Sequence, residues 1–229
     1  MGKKFSGAIL LAIFFSATAQ QVSAGDDILI RGRVSVGYSS YALPDATSQY
    51  LAIGVGITYV TGNIFFDAFG SSSVDATHDW PSFEGEFQRT DTALTGGYLL
   101  GDGWSIFGGY KWGTSEFSRN VDASYKLTFE AYGIFGGVSK TIGLSRGTSI
   151  SLSGALASME GDLYNTSTLN DSGKTLGLSF SAAYKLSLSA DSGIRIRGFY
   201  QNYSYSDFNS ESDFDEEILG VEAGYHLDF

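Results

Sequence analysis

The last eleven residues, Leu219 to Phe229, alternate without a break. Leu219, Val221, Ala223, Tyr225, Leu227 and Phe229 fall on one face; Gly220, Glu222, Gly224, His226 and Asp228 fall on the other. A period of two marks a β-strand whose sides meet different solvents. No turn residue closes the run, and it stops on an aromatic. A sheet in water rarely ends on an exposed Phe. A barrel wall in lipid turns its apolar face to acyl chains and its polar face to a lumen, and closure removes the edge.

The same unit recurs from Ile28 onward. A first strand places Ile28, Ile30, Val34, Val36 and Tyr38 opposite Arg31, Arg33 and Ser35. A second, starting at Tyr50, turns Leu51, Ile53, Val55, Ile57 and Tyr59 outward against Ala52, Gly54, Gly56 and Thr58. The third, through Phe66, Asp67 and Ala68, has Phe on both parities and an open facing. The fourth sets Leu94, Tyr98 and Leu100 against Arg89, Asp91 and Thr95, and the fifth sets Trp104, Ile106, Tyr110 and Trp112 against Ser105, Gly109 and Lys111. In the sixth, Leu127, Phe129 and Phe135 are expected to face lipid, with Lys126, Thr128 and Glu130 in the lumen. Ile134 and Val138 break that alternation, which suggests a bulge. Ile150, Leu152 and Leu156 mark the seventh strand, Leu176 to Leu186 the eighth, and Ile194, Ile196 and Tyr200 the ninth. The expected fold is all-β: a transmembrane, antiparallel, up-and-down barrel of about ten strands. Eight is the alternative if the third and sixth merge into loops.

Connections alternate in length. Tight turns are expected near Gly62, Asp102, Gly143 and Asp191; longer polar loops at Tyr41–Gln49, Ser71–Glu86, Ser118–Ser124, Gly161–Gly173 and Asp207–Glu217. Short periplasmic turns and longer outer loops are the transmembrane layout. The aromatics agree with it. Tyr59, Tyr98, Trp104, Tyr184, Tyr225 and Phe229 sit near the short turns, while Tyr38, Tyr50, Trp112 and Tyr200 sit toward the loops, as two membrane-interface girdles. A soluble barrel that buries its apolar residues inside does not account for two such belts.

Ahead of the barrel, Lys3 and Lys4 precede an apolar run from Gly7 to Phe15, and Val22-Ser23-Ala24 supplies small residues for cleavage. Residues 1–24 are therefore expected to be a secretory signal peptide and 25–229 the barrel domain. Thirty Gly beside only two Pro, with 15% aromatics, argues against disorder, and zero Cys excludes disulfides and thiolate chemistry. The net charge of −11 excludes nucleic acid as a partner, because phosphates are repelled.

Inward-facing charges are expected at Arg31, Arg33, Asp67, Arg89, Asp91, Lys111, Lys126, Glu130, Lys185, Arg195, Arg197 and Glu222. Closure sets the first and ninth strands beside the last, so Glu222 is expected between Arg31/Arg33 and Arg195/Arg197. Either this network plugs a narrow tube or its arginines line an anion-attracting constriction. The loops are acidic, with Asp207, Glu211, Asp213, Asp215, Glu216 and Glu217 in the last and Asp75, Asp79, Glu84 and Glu86 in the second. Tyr203, Tyr205, Phe208 and Phe214 interleave with the last group, either as a binding rim or as a continued girdle. Catalysis has little support. His78, near Asp75, Asp79 and Ser71 to Ser73, is the one candidate centre, and His226 faces the lumen. No catalytic residue, metal or cofactor is assigned.

Tyr225-x-Leu227-x-Phe229 resembles the closing strand of bacterial outer-membrane β-barrels. In architecture nearly the whole mature chain resembles the small OmpA/OmpX- and opacity-type barrels. The resemblance implies a Gram-negative outer membrane reached by export to the periplasm. It also implies contact with membrane lipids and lipopolysaccharide, and a C-terminal strand read by the outer-membrane assembly machinery. A monomer is expected. The expected role is structural or surface-interacting, with a narrow porin-like channel as the alternative and an enzyme acting on lipid or peptide around His78 third.

Overall fold

The computed structural model describes residues 28–229 apart from 45, 80–84, 120–125, 145–146, 167 and 209–212. The expected signal peptide lies outside the described residues, as do Glu84 and Glu211. Ten strands follow in order: β1 (Ile28–Leu43), β2 (Ala46–Thr61), β3 (Ile64–Asp79), β4 (Gly85–Gly101), β5 (Trp104–Arg119), β6 (Lys126–Gly143), β7 (Thr148–Asn165), β8 (Thr168–Ser187), β9 (Ser192–Ser206) and β10 (Phe214–Asp228). Each pairs antiparallel with its chain neighbours, and β10 pairs with β1 to close the barrel. Phe229 seals the seam: its amide donates to the Ile30 carbonyl at 2.7 Å and its carbonyl accepts from the Ile30 amide at 3.3 Å.

Four turns gather at one end with both ends of the barrel strand order, at residues 62–63, 102–103, 144–147 and 188–191. Short turns mark this as the periplasmic end. At Gly101-Asp102-Gly103 all three residues have positive φ (93°, 48° and 77°), which is why two glycines flank the acid there.

The strands are 15–20 residues long. A tilted strand needs only about 9–11 to cross a bilayer, so the barrel projects well beyond the outer interface. The long loops read from the sequence are largely these extensions. β1 and β2 are joined by residues 44–45 alone, and β7 and β8 by 166–167. The physical reason is a change of solvent along each strand. Within the bilayer the apolar residues face out: Val36, Ile53, Val55, Ile106, Leu156, Ile196 and Val221 are all exposed on the outer wall. Beyond it the outer wall meets water and the phase inverts. Tyr38 points out but Tyr41 is buried inside; Leu94 points out but Phe87 is buried inside; Leu219 points out but Ile218 is buried inside. Each inversion breaks a single-period reading of the strand.

Two strand facings are thereby settled. In β3, Phe66 and Val74 are exposed, while Phe65 and Phe69 enter the lumen against Gly97 and Gly54. In β6 the expected facing is reversed: Ile134, Val138 and Ile142 are exposed, Phe129 is buried, and Phe135 lines the interior. β6 keeps an unbroken register with both neighbours, so it carries no bulge. The expected lipid facing of Phe129 and Phe135 does not hold because the lumen is glycine-rich and takes the rings. A Cβ added at Gly54 would lie 2.7 Å from the Phe69 ring, at Gly137 2.7 Å from Phe107, and at Gly220 2.5 Å from Phe199.

Candidate functional site: a layered lumen

The lumen holds three layers. The outermost is an aromatic core inside the projecting part of the barrel, built from Tyr41, Tyr50, Phe87, Phe117, Phe129, Met159, Tyr203, Tyr205 and Ile218. Ring centroids lie 5.2 Å apart for Tyr41–Phe87, 5.0 Å for Phe87–Phe117 and 4.7 Å edge-on for Phe129–Tyr205. Tyr205 stacks on Phe214 at 4.9 Å. These are ordinary distances for packed aromatic pairs, each worth about 0.5–1.5 kcal/mol beyond its buried area. Tyr50, expected in the outer girdle, is buried here, as are Tyr203 and Tyr205, expected in a binding rim or a continued girdle.

An ion network is set into this core. Arg89 donates Nε and Nη2 to both oxygens of Asp91 at 2.8 and 3.0 Å, and Nη1 to Glu216 Oε1 at 3.0 Å and Ser115 Oγ at 2.8 Å. Its guanidinium also lies 5.2 Å from the Tyr41 ring centroid. Tyr205 donates its hydroxyl to Glu216 Oε2 at 3.0 Å. Lys111 stands 3.6 Å from Asp91 and donates to Tyr203 Oη at 2.7 Å and Gln201 Oε1 at 2.9 Å. Two cations thus meet two carboxylates, as burial requires. Burial beside the Glu216 carboxylate holds the Tyr41 and Tyr205 hydroxyls well above the ordinary tyrosine range. Glu216 had been expected in an acidic loop. Its even position, in phase with inward-facing Glu222, was the signal.

Below this layer lies a cavity of about 280 Å³. Small residues such as Ser35, Gly37, Ala52 and Ser153 line it together with Phe69, Phe107, Phe135 and Phe199.

The third layer is the periplasmic end. Arg33 lies over Gly56 of β2 and so reaches β3, where it grips both oxygens of Asp67 at 2.6 and 2.9 Å; Thr58 Oγ1 donates to the same carboxylate at 2.6 Å. Arg31 pairs with its register partner Asp228 at 2.5 and 2.6 Å. Glu222 accepts from Arg197 at 2.8 Å and pairs with no other cation among the described residues. The expected sharing of Glu222 among four arginines is therefore replaced by three separate pairs. Asp228 supplies a carboxylate that the expected network omitted. Lys185 and Arg195 also line this layer, without a carboxylate within 4.0 Å among the described residues.

Lys126 and Glu130 do not belong to the lumen. They share the outward parity of Ile134, and Lys126 pairs with Glu116 at 2.6 Å on the outer wall. The reversal of β6 carries them there. His78 lies in β3 opposite Ser48, but its side chain and those of Asp75 and Asp79 lie outside the described ones.

Tyr98, Trp104, Tyr184, Tyr225 and Phe229 are exposed near the periplasmic turns, and Tyr59 shares their face. Tyr38 and Trp112 are exposed toward the outer end, where Tyr38 donates to Gln49 at 2.5 Å and Tyr200 to Glu217 at 3.2 Å.

A closed barrel with an apolar outer wall between two aromatic belts is an integral outer-membrane β-barrel, and the protein is located in the outer membrane of a Gram-negative cell. Among solved structures, the fold is similar to that of the outer membrane protease OmpT from Escherichia coli, with a TM-score of 0.57 and 11% identity over 92% of this chain and 99% of that one. It is also similar to the β domain of the Bordetella autotransporter BrkA, with a TM-score of 0.50 and 10% identity over 87% and 99%. At such identities the likeness concerns the fold. No family model and no curated protein matches the sequence.

Proposed function

We propose that the protein is a closed barrel whose working surface is its projecting outer end, in a structural or surface-interaction role. The observation that carries this is the aromatic core with its buried Arg89–Glu216 pair, filling the lumen where a channel needs an opening. Above the membrane the wall behaves as a small soluble barrel, apolar within and polar without, which makes a rigid pedestal for the connections at its rim. Exposed Glu86, Asp213, Asp215 and Glu217 give that rim a negative field. Its expected surroundings are outer-membrane lipids and lipopolysaccharide, whose phosphates it meets through divalent cations. The seam-closing β10 is the segment the assembly machinery is expected to read.

A narrow passive channel is the competing reading, favoured by the cavity and by the basic periplasmic layer. It requires the outer core to move aside. Catalysis is not part of the proposal, since the described cation–carboxylate groups of the outer layer are engaged with one another. Solute flux into proteoliposomes tests closure. Small sugars and chloride are expected to enter no faster than into protein-free vesicles, and entry that scales with protein content overturns the proposal.

A further inference from the structure

The periplasmic layer is unbalanced. Five basic side chains (Arg31, Arg33, Lys185, Arg195 and Arg197) face three carboxylates (Asp67, Glu222 and Asp228), and each carboxylate is taken by one arginine. Lys185 and Arg195 are left over, and they are direct register partners on β8 and β9. Like charges directly opposite on one face of a sheet repel and destabilise the pair. On its other side Arg195 pairs with Gly224, which has no side chain to offer. The Nε–H groups of Arg195 and Arg197 are buried with no hydrogen-bond acceptor. Orphaned donors and excess positive charge together ask for an acceptor-rich anion. Arg31 and Arg33 add to the field at Lys185, and His226, between β1 and β9, lies within it.

We propose that this end of the lumen is a binding site for a small phosphate-bearing solute of the periplasm, held between Lys185 and Arg195. A tetrahedral oxyanion supplies several acceptors at once, separates the two like charges and neutralises the surplus. Access is from the periplasmic mouth, where the Arg31 side chain is 28% exposed. The site needs no passage through the outer core, so it holds whether or not the barrel conducts.

The test uses the full mature barrel refolded in a maltoside detergent, with inorganic phosphate as the probe and chloride holding ionic strength constant. Phosphate is expected to raise the urea midpoint. At about ten times its dissociation constant the unfolding constant falls about tenfold. Phosphorus NMR should show the inorganic phosphate line broadened by the barrel. Lys185→Gln and Arg195→Gln should each lose both responses. In phosphate-free buffer they should be at least as stable as the parent, because a like-charge neighbour has gone; a merely structural role would make them weaker. No phosphate-specific response in the parent, or a response that survives in both variants, overturns the site. Protection seen only in vesicles carrying anionic lipid, in phosphate-free buffer, overturns a solute as the occupant.

Discussion

Among the described residues Arg89 is the cation on which a buried carboxylate, Glu216, and a half-buried one, Asp91, converge, so its removal and that of Glu216 should have unequal costs. In Arg89→Met, Asp91 keeps Lys111 at 3.6 Å, but Glu216 keeps only the Tyr205 hydroxyl. The Glu216 side chain is 2% exposed, so its charge has almost no access to water. Breaking a buried pair from one side costs about 3–5 kcal/mol. In Glu216→Gln, Arg89 remains neutralised by Asp91 and the amide oxygen can still accept from Tyr205 or Arg89. The loss is then one charge-assisted hydrogen bond, about 1.5–3 kcal/mol. Urea unfolding of the refolded barrels, followed by tryptophan fluorescence, measures both. The double variant Arg89→Met/Glu216→Gln should recover part of the single Arg89→Met loss, since no stranded Glu216 charge remains. If Glu216→Gln costs as much as Arg89→Met, or if both cost under about 1 kcal/mol, the layer is not the buried, ion-paired core described here.

Three further outcomes are expected. Val55→Arg, on the lipid-facing wall of β2, should cost about 2–4 kcal/mol if it lies near the bilayer midplane, whereas breaking the solvent-exposed Lys174–Asp207 pair by Lys174→Ala should cost at most about 1 kcal/mol; the same urea assay checks both. Gly54→Val should destabilise by about 1–3 kcal/mol by overpacking, because its Cβ would meet the Phe69 ring and Ser35 Oγ at 2.7 Å, and Gly54→Val/Phe69→Ala should recover much of that. The Tyr205 hydroxyl ionises above the ordinary tyrosine range in the fold and near pH 10 when unfolded, so above pH 10 the unfolded chain releases a proton that the native one keeps. Stability from this group is complete below pH 10 and should then fall by about 1.4 kcal/mol per pH unit. Tyr205→Phe should flatten the alkaline slope by that amount, and an unchanged slope contradicts the burial described.

The barrel, its ten strands and the lipid-facing side of most of them were legible because within a bilayer the period-two contrast is strong. Val36, Ile53, Ile106 and Val221 could be placed outside from alternation alone. The outer end was not legible, for a physical reason. Once a strand leaves the membrane its apolar side turns inward, so Tyr41, Tyr50 and Tyr205 read as loop or girdle residues although they form a core. β6 failed for a related reason: Phe129 and Phe135 are apolar yet fill a lumen whose glycines leave ring-sized space. Within the ion network, parity placed ten of the twelve expected charges on the inner wall, but partner choice was beyond it. Arg33 reaches Asp67 only because Gly56 lets its side chain cross β2, a three-dimensional fact with no signature in spacing.

The measurement that bears most directly on the closed lumen is single-channel current through the refolded mature barrel in a planar bilayer, beside Phe87→Ala/Phe117→Ala, which hollows the outer core. The unmodified barrel should be silent, and the double variant should show openings or a raised leak. Steady, reproducible openings in the unmodified barrel would contradict the account and make the cavity part of a conducting path.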